Sequence, residues 1–397
     1  MGQKVCMLLS YLPFLDGRIF EKEVKSLLKH GYDVTMIVPR KNGYLVNVDG
    51  SPIKDRFLQK TFKYEGVKIV TYNGNKRTNS LISDPLYRLG LIEEADFYHT
   101  HELNSFYYGK EIKRALNKLG KKTNLIYDSR QLVPDPFSTS MDNNTKEKWR
   151  KNLMESLTEV DYIITVSDSI KSWFLTLNPL LPVEVIYNSP HLSTNNTRKT
   201  NPRNKLVVCH EGNFSSRKED LMKFFSITDS LSKVMDFKFK IVGGPRYGES
   251  ITIPKHLESN ILLNGWVNYS SLPNAMSDVD IGIIHLNAKN SLNDMFALPN
   301  KLFSFLSNGI PVVVNKCSDM EKFITTYHCG LVIDKLDPTP ADYTKAILYL
   351  NNHPDELKQM SLNAKKIMKE YCWENMENRL LNIYDSLTNK QASFLLN

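Results

Sequence analysis

The chain has 397 residues, 41% of them hydrophobic, with 18 Gly and 18 Pro. That length suits two domains, and the composition excludes wholesale disorder, collagen-like repeats and low complexity. Formal net charge is +8, from 27 basic and 22 acidic residues in 1–190 and 24 and 21 in the rest, a surplus too mild for nucleic-acid binding but suited to an anionic substrate or anionic lipid. The five Cys are widely spaced without a CxxC pair, which argues against a disulfide framework or zinc ribbon and fits a reducing cytoplasm. No apolar run approaches the roughly 18 residues of a membrane span, and 5–15 reads as a buried strand with its loop rather than a signal peptide.

The first strand is 4–10 (KVCMLLS), apolar enough to be buried on both faces. A loop at 11–18 leads into a helix over 19–30, with Phe20, Val24, Leu27 and Leu28 on one face and Gly31 ending it. Residues 32–38 (YDVTMIV) then form a second strand, and a βαβ unit makes the two parallel. Further strands are predicted at 68–72, 97–101, 124–128, 162–166 and 183–187. The helix over 105–119 should turn Ile112, Ala115, Leu116 and Leu119 inward. Polar residues 191–204 read as a linker. A second series follows, with strands at 205–210, 238–242, 261–263, 281–286 and 311–315. Its helices are predicted at 220–235, 271–276, 300–307, 341–350, 354–369 and 375–387. Alternation of this kind predicts two open parallel α/β sheets whose ligands sit at the carboxyl ends of the strands.

Several stretches carry chemistry. In 297–311 (ALPNKLFSFLSNGIP), Pro299 suits a helix start, where its missing N–H is no loss. The amides around Asn300 can hold an anion, Lys301 adds a positive charge, and the plain alternative is an ordinary buried helix. In 210–218 (HEGNFSSRK), Gly212 lets backbone approach a ligand, and Arg217 and Lys218 stand before a helix, able to neutralise a diphosphate or simply be solvated. Gly243-Gly244-Pro245 turns sharply after a strand. Asp278-Val279-Asp280 has the look of a metal-binding DxD but sits at a helix-to-strand junction. His99 and His101 face one side of their strand. A metal there would need a third ligand that the sequence does not show, so a hydrogen-bonding or packing role is expected. Arg130 ends the next strand, and Gly17 lies in the loop after the first. Lys110, Lys113, Arg114, Lys118 and Lys121 form a basic helix face, either solvated or set against a membrane surface.

Taken in order, these marks resemble glycosyltransferase family 4: 16–18 (DGR), YHTHEL, YDSRQL, VDYIITVSDSI, EGNFSSRK, IVGGP, NGWV, LPNKLFSFLSNGIPVV and CGLVI. The resemblance spans nearly the whole chain. It implies the GT-B fold, α/β with two doubly wound Rossmann-like domains facing across a cleft. Residues 1–190 would bind the acceptor, with the helix at 373–397 packing back on them, and 205–372 would bind the nucleotide-sugar. It further implies retention of anomeric configuration, no metal and no other cofactor. Arg217, Lys218 and the start of the helix at Pro299–Lys301 would stabilise the departing diphosphate. His101 and Arg130 would be catalytic. Gly17, Gly212, Asn213, Gly243, Gly244, Pro299, Asn300, Lys301 and Ser304 would bind the donor. The acceptor would be a glycan or lipid-linked glycan in bacterial-type surface polysaccharide synthesis, at the inner face of the membrane, with no nucleic acid involved.

Three departures stand out. The family's E-x7-E glutamates would fall at Phe296 and Ser304, Arg130 stands where relatives often have His, and Asn213 where many have Arg. Loss of the glutamate at Ser304 would cost roughly 1–3 kcal/mol of donor binding. The departures leave room for an alternative, a degenerate protein scaffolding a partner glycosyltransferase. A nucleotide-sugar epimerase would want more acid–base groups.

Overall fold

The computed structural model describes residues 2–75, 80–139, 141–192, 205–214, 218–246 and 249–395, with the side chains of 218–220 and 390–395 left aside. The chain divides into two units: Met1–Ile186 with Met376–Asn397, and Tyr187–Asn375.

In the first unit, β1 (Lys4–Leu8) leads through a loop and a π-helical stretch, Ile19–Val24, into α1 (Lys25–Lys29) and β2 (Asp33–Arg40). Two short antiparallel strands, β3 (Leu45–Val46) and β4 (Pro52–Ile53), and a hairpin, β5 (Thr61–Tyr64) with β6 (Val67–Asn73), follow. Then come α2 (Pro85–Glu93), β7 (Phe97–Thr100), α3 (Leu103–Lys118), β8 (Asn124–Ser129), α4 (Asn143–Leu157), β9 (Tyr162–Thr165), α5 (Asp168–Leu177) and β10 (Val183–Val185). The sheet order is β10-β9-β8-β7-β1-β2-β6-β5, parallel except for β5. Its direction reverses between β7 and β1, the place where an open sheet forms a crevice.

In the second unit the order along the chain is β11 (Leu206–Asn213), α6 (Lys218–Ser232), β12 (Phe237–Gly244), β13 (Ile261–Gly265), α7 (Leu272–Ala275), β14 (Ile281–Ile284) and α8 (Leu292–Phe296). It continues with α9 (Asn300–Ser307), β15 (Val312–Asn315), α10 (Ser318–Tyr327), β16 (Gly330–Ile333), α11 (Pro340–Asn352), α12 (Pro354–Ile367) and α13 (Trp373–Leu395). Met376 onward in α13 belongs to the first unit. The sheet β13-β12-β11-β14-β15-β16 is all parallel and switches direction between β11 and β14. Its inner strands bury side chains on both faces, whereas the edge strand β13 is exposed beyond Ile261. Val208, Phe239, Ile281 and Val313 pack with Phe224, Ile227, Tyr343 and Ile347 of the helices, each such side chain adding roughly 1.5–3 kcal/mol of burial.

Three sequence expectations change. The helix after β1 opens as a π-helix, and its buried side takes in the polar Lys22 and Glu23 as well as Phe20, Val24 and Leu27, while Leu28 is only half buried. Leu119 is not inward: it follows α3 and is 71% exposed. The basic face of α3 is not uniformly outward either. Lys110 is buried 2.9 Å from Glu111, and Lys113 lies 2.5 Å from Asp161. Arg114 is 2.9 Å from Glu159, and Lys121 pairs with Glu94. Internal carboxylates thus neutralise most of the face that a membrane would have to attract. Among the described residues no helix is long and apolar enough to cross a membrane. The linker expected at 191–204 lies outside the described residues beyond Leu192.

Candidate functional site

In the second unit, the carboxyl ends of β11 and β12 run side by side, with Gly212 opposite Gly243 and Asn213 opposite Gly244. The sequence places glycine here for a steric reason. A Cβ on Gly243 (φ +107°) would stand 2.4 Å from the Gly212 carbonyl oxygen, which no side chain tolerates. The strand runs through the Gly-Gly pair, and the turn begins only at Pro245, two residues later than expected. Trp266 pins that turn by donating its indole N–H to the Pro245 carbonyl at 3.0 Å. Asn213 is exposed at the strand end.

Lys301, from the first turn of α9, reaches this spot: a Cβ built on Gly212 (φ +112°) would lie 3.5 Å from its Nζ. Lys301 also depresses the pKa of buried His210 on β11, second to burial itself, so that imidazole is held well below its ordinary range and stays neutral. Pro299 is the N-cap of α9 rather than a first-turn residue. Its backbone is extended (φ −73°, ψ 151°), and its carbonyl accepts the Leu302 amide at 2.9 Å. Asn300 is the first helical residue. The α9 bounds match the sequence reading. Ser304, one turn on, is buried with its hydroxyl 3.8 Å from the Met276 sulfur. Gly212, Gly243 and Lys301 thus converge, whereas the Ser304 hydroxyl is directed to the core. Arg217 lies outside the described residues, as does the side chain of Lys218, which heads α6. Asp278 pairs with Lys240 at 2.7 Å, and Asp280 accepts the Val207 amide at 2.9 Å, so both DxD carboxylates have structural partners.

Gly243→Ala is expected to strain the second unit by about 1–3 kcal/mol and to weaken any ligand at this strand end. Thermal melting and titration with UDP, run on the same variant, read the two effects.

In the first unit, a buried polar cluster fills the switch point. Arg18 donates to the Asp128 carboxylate through Nε (2.7 Å) and Nη2 (3.2 Å) and to the Ile186 carbonyl through Nη1 (2.9 Å). Glu23 stands 2.9 Å from the same Nε. His101 Nδ1 lies 3.6 Å from both Glu23 and Asp128, and its ring stacks on His99 at 4.6 Å. His99 Nδ1 is 2.9 Å from the Tyr384 hydroxyl of α13. Burial pushes the Asp128 carboxyl up, but Arg18, with His101 beside it, more than reverses this and holds it well below the usual carboxylate range. Burial and the neighbouring Asp128 push Glu23 up instead. One proton shared by two carboxyls against one guanidinium leaves the cluster close to neutral.

Glu23, His99, His101 and Asp128 offer ligand atoms within 4.8 Å of one another, the third and fourth groups that the sequence did not reveal beside the two histidines. Their arrangement still fits a metal ion poorly. The Arg18 guanidinium stands against both carboxylates, 2.9 Å from Glu23 and 2.7 Å from Asp128, a fixed positive charge that would oppose a metal ion beside it.

The loop after β1 is tied from inside. Glu102 accepts the amides of Ser10, Tyr11 and Leu12 at 3.0–3.2 Å and the Ser105 hydroxyl at 2.7 Å. Three successive amides of this kind make an anion nest, and here a residue of the protein fills it. Gly17 is half buried near the end of that loop. Asp16 accepts the amides of Arg18 (2.9 Å) and Ile19 (3.2 Å) and stands 3.1 Å from Arg130 Nη1.

Lys22 is buried in the same region, and burial, followed by the charge of Arg18, lowers its amine to about 7. Because the folded value is depressed, burial of the charge costs stability in full below pH 7. That cost is relieved as pH rises from 7 toward 10.5. Lys22→Met should therefore melt higher than the wild type at pH 7, and the gain should shrink to nothing by about pH 10.5. A gain that persists unchanged at that pH would assign it to packing instead.

Sequence reasoning missed Arg18, Lys22, Glu23, Asp128 and Glu102 as a connected group. It singled out His101 and Arg130 but not the carboxylates that hold them.

Residues 230–370 match the family model described as "Glucosyltransferase 3-like, C-terminal domain". No curated protein sequence matches the chain significantly. Among solved structures, the chain is similar to sucrose-phosphate synthase from Thermosynechococcus elongatus, with a TM-score of 0.72 and 12% identity over 98% of this chain and 100% of that one. It is similar to HepE from Anabaena in complex with UDP-glucose, with a TM-score of 0.67 and 14% identity over 96% and 99%. It is also similar to a glycosyltransferase from Rickettsia africae, with a TM-score of 0.61 and 14% identity over 98% and 99%. At these identities the likeness is one of fold, and that fold, two Rossmann-like α/β units in one chain, is the GT-B fold of glycosyltransferases.

Proposed function

We propose that the chain is a retaining, metal-independent glycosyltransferase of family 4. Its donor is a nucleotide-sugar and its acceptor a glycan or lipid-linked glycan of a surface polysaccharide, at the cytoplasmic face of the membrane. The observation that carries this reading is the Lys301 amine lying against Gly212, where the paired glycines of β11 and β12 bring bare backbone to a strand end. A diphosphate placed there would meet a cation and the amide end of α9 together. The departing nucleoside diphosphate carries the charge that builds up as the glycosidic bond to it breaks, and preformed positive groups lower that barrier without a metal. Arg217 and Lys218 are the further cations assigned to this role. The UDP-glucose complex of HepE, a protein of the same fold, supports a uridine nucleotide as the first donor to try. The scaffold alternative has no comparable support.

Calorimetric titration with UDP, GDP and ADP and their glucose conjugates tests the reading, with saturable binding of one nucleotide expected. Absence of heat with every one of them would remove the basis for donor binding. Retention is read from the anomeric configuration of the product by NMR. Activity undiminished by EDTA is expected of a metal-independent enzyme, and loss of activity that a divalent ion restores would overturn that part.

A further inference from the structure

We propose that Arg130 is a specificity-determining residue that receives the oxyanion of an acidic sugar bound by the first unit, a deepening of the reading above and dependent on it. The reason lies in how three inward arginines of this unit spend their donors. Arg18 gives Nε and Nη2 to Asp128 and Nη1 to the Ile186 carbonyl. Arg40 gives Nε to Thr71, Nη1 to the Gly43 carbonyl and Nη2 to the carbonyls of Phe57 and Gln59. Both are structural ties. Arg130 differs: its Nη1 is buried and lies 3.1 Å from Asp16 without an aligned hydrogen bond, while its side chain keeps 21% of its surface open.

Its position suits a ligand. Arg130 directly follows β8, at the carboxyl edge that the sheet shares with the β1 loop and with His101 after β7. The neighbouring amide nest at Ser10–Leu12 is already filled by Glu102. An anion reaching this edge therefore finds its amides taken and a guanidinium held in place by charge, with donors to spare. A single oxygen of Asp16, Oδ1, accepts both backbone amides and is the one that faces Arg130. A guanidinium fork binds carboxylate or phosphate through two parallel N–H bonds. A neutral hydroxyl cannot use that geometry as fully. The ligand class is thus a sugar bearing a carboxylate or a phosphate ester.

The test is NMR titration of the full chain with methyl glucuronide, glucose 6-phosphate and methyl glucoside. At least one charged sugar should bind about tenfold or more tightly than the neutral one, and which one it is tells carboxylate from phosphate. Arg130→Gln should erase the preference. Arg130→Lys should keep part of it, since the charge remains and the fork is lost, and melting curves confirm that both variants are folded. Equal affinity for the three sugars, no binding of either charged sugar, or a preference that survives in Arg130→Gln overturns the proposal. A parallel titration of the wild type with UDP reports the second unit separately. Loss of UDP binding with a retained sugar preference would sink the glycosyltransferase reading and leave Arg130 as an anion site.

Discussion

Lys301→Met is expected to weaken nucleoside diphosphate binding by roughly 10- to 150-fold, the worth of one hydrogen bond to a charged partner, about 1.5–3 kcal/mol. Methionine keeps most of the aliphatic stem that lies against Gly212 and removes the charge, and melting curves of the variant read any change in stability separately from binding. Turnover should fall further than binding, by about two to three orders of magnitude, if the amine also meets charge that develops on the leaving group. The two effects separate in kinetics: an equal loss in KM alone would make Lys301 a ground-state binder. Lys301→Arg offers a sharper check, because its bulkier head must fit where Nζ now sits 3.5 Å from a Cβ position on Gly212. Unchanged UDP affinity in Lys301→Met would move the diphosphate away from α9.

The largest stability effect is expected in the first unit. Asp128→Asn removes the carboxylate that takes two donors of the buried Arg18 and leaves Glu23, 2.9 Å from Nε, as its remaining acidic partner. The loss is therefore at most that of a buried pair broken from one side, about 3–5 kcal/mol. For a unit of some 200 residues that limits the fall in melting temperature to roughly 6–20 °C. The double variant Arg18→Met with Asp128→Leu should recover much of the loss, since it removes both charges together. Acid behaviour follows from the same contact. The folded Asp128 carboxyl is depressed, so its contribution is present above the ordinary carboxylate value near 3.8 and is lost as pH falls below it. Asp16, lowered by Arg130 and two amides against the push of burial, acts in the same direction. Asp128→Asn should therefore flatten the acid limb of the first unit's melting profile. A wild-type limb retained in the variant would place that acid sensitivity elsewhere.

Much of the architecture was legible because buried parallel strands are apolar on both faces. The runs KVCMLLS and YDVTMIV leave little alternative, and Gly31 marks the helix end between them with φ +84°. The bounds of α9 follow from Pro299 before it and Asn308-Gly309 after it. What stayed hidden was polar. Arg18, Lys22 and Glu23 follow a loop in a pattern that reads as a helix surface, and only the loop's inward course and the π-helical opening turn them toward Asp128. Their partners are about a hundred residues away, and no local period records that. The hairpin strand β5 has only half-buried and exposed side chains, so its alternation carries little signal. Helix α10, SDMEKFITTY, by contrast carries a helical period in Met320, Phe323, Ile324 and Tyr327, the first three of them buried, so it is legible although it is not among the helices predicted above. On the ligand side, the glycines and Lys301 could be chosen from sequence, but their convergence could not. The inward hydroxyl of Ser304 was equally out of reach, because it depends on how α9 rolls against Met276.

The first unit draws its last helix from the far end of the chain. Leu380, Ile383 and Leu387 are buried, and Tyr384 closes over Tyr32, Phe97 and His99. During synthesis that seat must wait uncovered while about 190 intervening residues are made, roughly 10–40 s at ordinary translation rates. The nascent protein therefore carries an aromatic vacancy through about half of its elongation, a binding spot for a chaperone that the finished molecule no longer offers.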